Sequence, residues 1–387
     1  MPVLNRVAEM QDEITGWRRH LHTIPEILYE VRKTAAFVAE RLREFGCDEV
    51  VTGIGRTGVV GIIRGNQGPG KTVGLRADMD ALPLKEVTGK PWSSTHPDAM
   101  HACGHDGHTA MLLGAAKYLA ETRNFKGAVA VIFQPAEEGG AGGKAMVEDG
   151  MMERFGIEQV FGMHNMPGLP VGQFAIRPGP IMAATTEFTI TVKGRGGHAA
   201  QPHRTVDPIV TAASMISALQ TIRSRNADPI EQIVVSVTKI HAGDAYNIIP
   251  EELEFAGTIR TLKKEVAEQA YDRMRAICEG IAAAHGASVD VKIDVNYPVT
   301  FNHERETGFA VGVAQAIAGE ANVNDAVAPV MGGEDFSYML EARPGAFIFL
   351  GNGDTAGLHN PNYDFNDDAI PVGVSYWVKL AETATAA

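Results

Sequence analysis

Apolar residues recur at helical spacing from residue 5 to residue 46, where Gly46 supplies a helix stop. Beyond it the pattern changes. Short β-rich apolar runs (Thr72-Val73-Gly74-Leu75, Val129-Ala130-Val131-Ile132-Phe133, Val160-Phe161-Gly162-Met163) alternate with helical stretches near 106–122 and 142–151. Such alternation predicts an α/β fold, a mostly parallel sheet with flanking helices. From about 184 to 297 the order becomes strand 186–193, helix 206–222, strands 232–240 and 252–260, helix 264–285 and strand 288–295. This β-α-β-β-α-β order is that of the ferredoxin-like α+β unit. The α/β pattern resumes near Phe301, so we expect a discontinuous domain over 1–183 and 298–387, interrupted by a domain at 184–297. A chain of 387 residues exceeds the size at which one core usually stops growing, which favours the same division.

The polar motifs follow the apolar runs. Asp78-Met79-Asp80 comes after 72–76, Glu137-Glu138 after 128–134, and His164-Asn165 after 159–163. His359 follows Ala346-Phe347-Ile348-Phe349-Leu350 by a glycine-containing loop. Ligands of open α/β sheets gather outside the carboxyl ends of the strands, so these motifs are expected to converge on one crevice.

Composition narrows the partners. An excess of 47 acidic over 34 basic residues, a formal charge of −13, disfavours nucleic acid and anionic membrane surfaces. The N-terminal residues lack a basic flank with a following apolar stretch, and no run reaches the roughly 18 apolar residues a bilayer span needs, so a cytoplasmic location is expected. Cys47, Cys103 and Cys278 are too scattered for a disulfide framework; Cys47 and Cys278 read as packing residues.

Cys103 is different, because the stretch Met100 to His108 holds a thiol and three imidazoles in nine residues. Thiolate and neutral imidazole are favoured ligands of zinc and its first-row neighbours. A lone Cys-x-His is more often a buried cysteine beside a surface histidine; the surrounding cluster reverses that preference for Cys103 and His105. His101 and His108 either orient a ligand or are polar residues around a helix start. Glu137 and Glu138, framed by Pro135 and Gly139, suit a division of labour in which one carboxylate binds metal and its neighbour moves protons, the bland alternative being a solvated acidic loop. With His164 and His359, the residues Cys103, His105 and Glu138 make five donors. That is more than one closed tetrahedral zinc needs and suits two divalent ions sharing a ligand, for which a thiolate serves. Zinc or manganese fits this set best, with cobalt or nickel also accommodated.

These motifs carry a resemblance. Arg18-Arg19-His20-Leu21-His22 with Pro25-Glu26, Leu75 through Pro83, Met100 through His108, Gln134 through Gly139, Gly162 through Asn165, Gly196 through His203, Gly332 through Phe336 and Leu358 through Pro361 together resemble the co-catalytic di-metal aminoacylases and carboxypeptidases. The likeness is to their hippurate hydrolase and indoleacetyl-amino-acid hydrolase branch and covers nearly the whole chain. It implies Cys103, His105, Glu138, His164 and His359 as metal ligands with Cys103 bridging, Glu137 as general base and acid, and His198 as a donor to the oxyanion. The wider family has a histidine ligand where Asp78 stands here, and Asp80 is expected beside the ligands rather than on the metals. Asn247 and Arg260 offer an amide and a guanidinium suited to a substrate carboxylate. A surface salt bridge explains Arg260 equally well from residues alone, and the resemblance favours substrate binding.

The implied activity is metal-dependent hydrolysis of the amide of small N-acyl or N-aroyl amino acids, hippurate-like, by metal-activated water with Glu137 taking the proton. The inserted domain is expected to act as lid and dimerisation element, giving a homodimer or higher homo-oligomer. Alternatives within the same chemistry are a dipeptidase, a carboxypeptidase or an N-acetyl-diaminopimelate deacetylase. From another class, a non-catalytic metal-stabilised binding protein is possible on fold alone.

Overall fold

A computed structural model describes residues 3–385. The chain divides into two compact units. The first comprises the residues up to Ile181, Phe301–Ala328 and the residues from Asp335 onward; the second comprises Met182–Thr300 and Pro329–Glu334.

The first unit is built on an eight-stranded mixed sheet. Its order is Glu49–Ile54, Gly58–Arg64, Ala128–Gln134, Thr72–Asp78, Ile157–Pro167, Gly345–Gly353, Phe174–Ala175 and Val323–Asn324. The central four strands run parallel, and Ala128–Gln134 is buried at every position. A strand covered on both faces gains nothing from alternating polarity, which is why this one reads as a continuous apolar run. Helix His105–Thr122 lies among the strands and the helices Gln11–Thr23 and Ile370–Ala384, and its first twelve residues are buried on all sides.

Three local departures from the sequence expectation have physical causes. The helical stretch from 5 to 46 is three helices, Asn5–Glu9, Gln11–Thr23 and Arg32–Glu44, and Pro25 keeps the second from running on into the third. The Glu26 carboxylate then accepts from the backbone of Lys33 and Thr34 and so caps the third helix. Second, the strand expected to end at Met163 continues to Pro167, paired with Gly345–Gly353, so His164 and Asn165 lie inside the ladder rather than after it. Third, Asp78 closes its strand instead of following it.

The second unit has a four-stranded antiparallel sheet in the order Ile233–His241, Glu252–Thr261, Ala184–Lys193, Ser288–Tyr297. Helices Pro208–Thr221 and Lys264–His285 pack on it over a core that includes Phe188, Ile190, Phe255, Met215 and Met274. This is the ferredoxin-like arrangement. Residues Pro329–Glu334 return to this unit, held where Ala183 N–H donates to Gly332 O (2.9 Å).

Candidate metal centre and active site

The first unit brings Cys103, His105, Glu137, Glu138, His164 and His359 together at the carboxyl end of its parallel strands. The donor atoms of Cys103, His105 and His164 form one close group, and those of Cys103, Glu138 and His359 another. The two triads share the Cys103 sulfur. His164 Nε2 lies 3.3 Å from Cys103 Sγ, and His359 Nε2 lies 3.3 Å from Glu138 Oε1. Glu137 stands in a third group with His105 and Glu138.

Backbone geometry aims these side chains. Gly104 precedes helix His105–Thr122 in the left-handed region (φ 88°), so Cys103 and His105 turn into the same space. A β-carbon there would stand 2.3 Å from Asn165 Nδ2 and 2.5 Å from the Tyr363 hydroxyl. Ala136 (φ 54°) and His359 (φ 61°) adopt left-handed backbone without being glycine, one immediately before the glutamate pair and the other at a candidate ligand. Strain of this kind persists where the surroundings over-determine it.

Asp80 lies beside the donors. Its Oδ1 accepts from Glu137 N–H (3.0 Å) and its Oδ2 from Glu138 N–H (3.1 Å), so one carboxylate holds the backbone of both glutamates. Its backbone carbonyl accepts from His105 Nδ1 (2.8 Å), which directs His105 Nε2 at the cluster. The Asn165 carbonyl does the same for His164, accepting from Nδ1 at 2.6 Å. Metal-binding histidines are commonly fixed in this way.

The donor set fits divalent metal ions. His105 Nε2 is buried without a hydrogen-bond partner among the described residues, a costly state that a cation relieves. Burial opposes charge on His105, but Asp78, Asp80 and Glu138 outweigh it and raise its pKa to about 10, so in the metal-free chain a proton holds a place a cation can take. Burial, with Glu138, Glu137 and Asp78 nearby, pushes the Cys103 thiol well above the usual range. Bound cations would reverse that balance and favour the thiolate.

His101 and His108 fall outside this set. His101 is fully buried, its ring nitrogens have no hydrogen-bond partner among the described residues, and burial depresses it to about 3. His108 is engaged by Asp78 and Asn165. Asn165 itself was only a letter in the Gly-Met-His-Asn motif, yet its side chain spans Cys103 O (2.6 Å) and the Tyr363 hydroxyl (2.8 Å). An amide directly after a strand histidine was the available signal.

In the second unit His198 pairs with Ile248 on a two-residue ladder, next to Asn247. Both are exposed. His198 Nδ1 accepts from Ala200 N–H (3.1 Å), which leaves the proton of the neutral ring on Nε2, facing out. Arg260 is half-buried near the other end of the sheet, opposite Thr185, whereas His198 lies beyond the Lys193–Glu252 end. Eight strand residues separate Glu252 from Arg260, about 26 Å.

A cysteine sulfur shared by two candidate donor triads, with a carboxylate beside them at a parallel-sheet edge, is the arrangement of a hydrolase with a dinuclear metal centre. The chain belongs to peptidase family M20/M25/M40, whose model matches residues 74–383. It is 44% identical over 382 residues to the hippurate hydrolase of Campylobacter jejuni, covering 98% of this chain and 99% of that protein. It is 41% identical to the N-acetyl-L-cysteine deacetylase of Bacillus subtilis, covering 96% and 88%. Among solved structures it resembles a dinuclear metal binding peptidase of the M20 family from Bacillus subtilis, with TM-score 0.85, 34% identity and coverage of 98% and 99%. It is a hydrolase of amide C–N bonds that uses two divalent metal ions.

Proposed function

We propose that the chain hydrolyses small N-acyl or N-aroyl amino acids, hippurate among them, to a carboxylic acid and a free amino acid. The observation that carries this reading is the pair of donor triads joined at Cys103 with Glu137 at their edge. Cys103, His105, Glu138, His164 and His359 would hold two divalent ions, zinc or manganese. When bound, the two ions supply Lewis acidity that polarises the amide carbonyl and eases deprotonation of water.

The chain's own groups do the rest. Glu137 is buried and held through its backbone by Asp80, so its carboxylate is placed to take a proton from the attacking water and return it to the leaving nitrogen. His198 donates from Nε2 to the oxygen that gains charge as the amide carbon becomes tetrahedral. Arg260 binds the substrate carboxylate, and Asn247, which lies beside His198, reaches the substrate from the same copy as His198. His198 lies beyond the Glu252 end of the sheet and Arg260 about 26 Å along the strand from Glu252, far more than the length of an N-acyl amino acid. We therefore assign them to different copies in a homodimer formed through the inserted domain, so that His198 serves its neighbour's site. A reducing, cytoplasmic setting suits three free cysteines.

The deciding experiment combines metal analysis with a panel of N-acyl amino acids and dipeptides, with and without chelator. Chelator-sensitive release of amino acid from acylated substrates supports the reading; preference for dipeptides would favour a peptidase, and no turnover would leave a binding protein. Glu137→Gln should keep two metals per chain and lose about 10²–10⁴-fold in kcat.

A further inference from the structure

Beneath the donor cluster runs a chain of buried hydrogen bonds with no part in the chemistry above. Arg76, fully buried, donates from Nη1 to Asp78 Oδ2 (2.8 Å), and from its other nitrogens to Gln134 Oε1 (2.8 Å) and Asp335 Oδ1 (3.1 Å). The other oxygen of Asp78 lies 2.7 Å from His108 Nδ1. His108 Nε2 is 3.0 Å from both the backbone nitrogen and Nδ2 of Asn165. A backbone N–H only donates, so Nε2 is the acceptor, and the ring proton sits on Nδ1 and is given to Asp78. Asn165 then reaches two candidate ligands at once. Its Nδ2 donates to the carbonyl of Cys103, and its own carbonyl accepts from the ring of His164.

The donor atoms of Asp78, His105 and His108 also lie close enough to hold an ion. Their existing bonds argue against it. Both nitrogens of His108 are engaged, both oxygens of Asp78 are engaged, and the Arg76 guanidinium already neutralises Asp78 at 2.8 Å. A cation there would have to displace a buried arginine or a proton from a ring whose far side is held by the backbone.

We infer that Asp78, His108 and Asn165 are positioning residues, a buried relay that fixes the spacing of Cys103 and His164, and not a third metal site. The inference rests on the reading that those two residues bind metal. It also explains what Asp78 does. Its carboxylate is spent on hydrogen bonds to Arg76 and His108, so it orients a histidine.

The test compares the full-length wild type with His108→Phe, which keeps ring bulk and removes both hydrogen-bonding atoms, and His108→Gln, which restores an amide. Zinc stoichiometry is measured by elemental analysis, zinc affinity by chelator competition, and the thiolate-to-cobalt charge-transfer band of the cobalt(II) form by absorption. Expected are two zinc ions per chain in all three, zinc affinity about 10–100-fold weaker in the Phe variant, a shifted cobalt band, and partial recovery of both in the Gln variant. A third zinc lost with His108 would overturn the inference, as would unaltered affinity and cobalt spectrum in a folded Phe variant. If His108→Phe does not unfold cooperatively in chelator, the isosteric Asp78→Asn takes its place under the same two criteria. Failure of the underlying reading looks different: Cys103→Ala would then bind zinc as the wild type does.

Discussion

His22 shows how single residues are tuned around the site. Its Nδ1 lies 2.8 Å from Asp106 and its Nε2 3.4 Å from Glu86. Burial opposes its charge, but Asp106 and then Glu86 outweigh burial and raise it from 6.5 to about 9. Glu86 is held down to about 2, with burial opposing and His22, Ser94 N–H and Thr88 prevailing. The signs follow from linkage. A raised histidine contributes stability that is complete below about 6.5 and fades as pH rises through about 9. A depressed carboxylate contributes stability present above 4.5 and lost as pH falls through about 2. Urea unfolding of wild type and His22→Gln should therefore differ most between pH 4.5 and 6.5 and draw together above pH 9. An undiminished gap at pH 10 would refute the pairing.

At the scale of elements, the loop-to-helix junction at Gly104 is a tightly packed point of the site. An added methyl meets Asn165 and Tyr363 at contact distances no real β-carbon shows, in a backbone conformation side chains avoid. Gly104→Ala should cost about 1–3 kcal/mol in urea unfolding and weaken zinc retention, because relief requires moving the side-chain amide of Asn165 that donates to the Cys103 carbonyl. A wild-type midpoint would show that Asn165 is free to move. How much was legible beforehand follows the physics of each element. The amphipathic helix Lys264–His285 and the strands on either side of it declare themselves by period. The join at Pro25 was hidden because apolar spacing resumes in phase beyond it. The end of Ile157–Pro167 was hidden because its last residues pair with a strand some 180 positions later, and local pattern carries no trace of that partner. The candidate donors were legible by residue type and by clustering near strand ends, although His164 lies within its strand, whereas the roles of Asp78 and His108 were not, since tautomer and partner are set by contacts distant in sequence.

For the whole molecule, the separation of His198 from Arg260 yields a test by mixing. Glu137→Gln and His198→Ala chains should each be inactive alone. If His198 serves the neighbouring copy, a hybrid dimer holds one complete site, and random reassociation should restore about a quarter of wild-type activity. No recovery after verified subunit exchange would place His198 in its own chain's site.

The interruption of the first unit also has a consequence in time. Strand Ile157–Pro167 carries His164 and forms its inner ladder with Thr72–Asp78 as soon as both have been made, but its other edge waits for Gly345–Gly353. Roughly 180 residues must be translated in the interval, about 9–36 s at 5–20 residues per second. During synthesis the half-built sheet therefore exposes, next to Cys103 and His105, an apolar strand edge open to any passing chain. The inserted unit can fold while the ribosome works through this gap, and His359 reaches the other donors only after strand Gly345–Gly353 has been made.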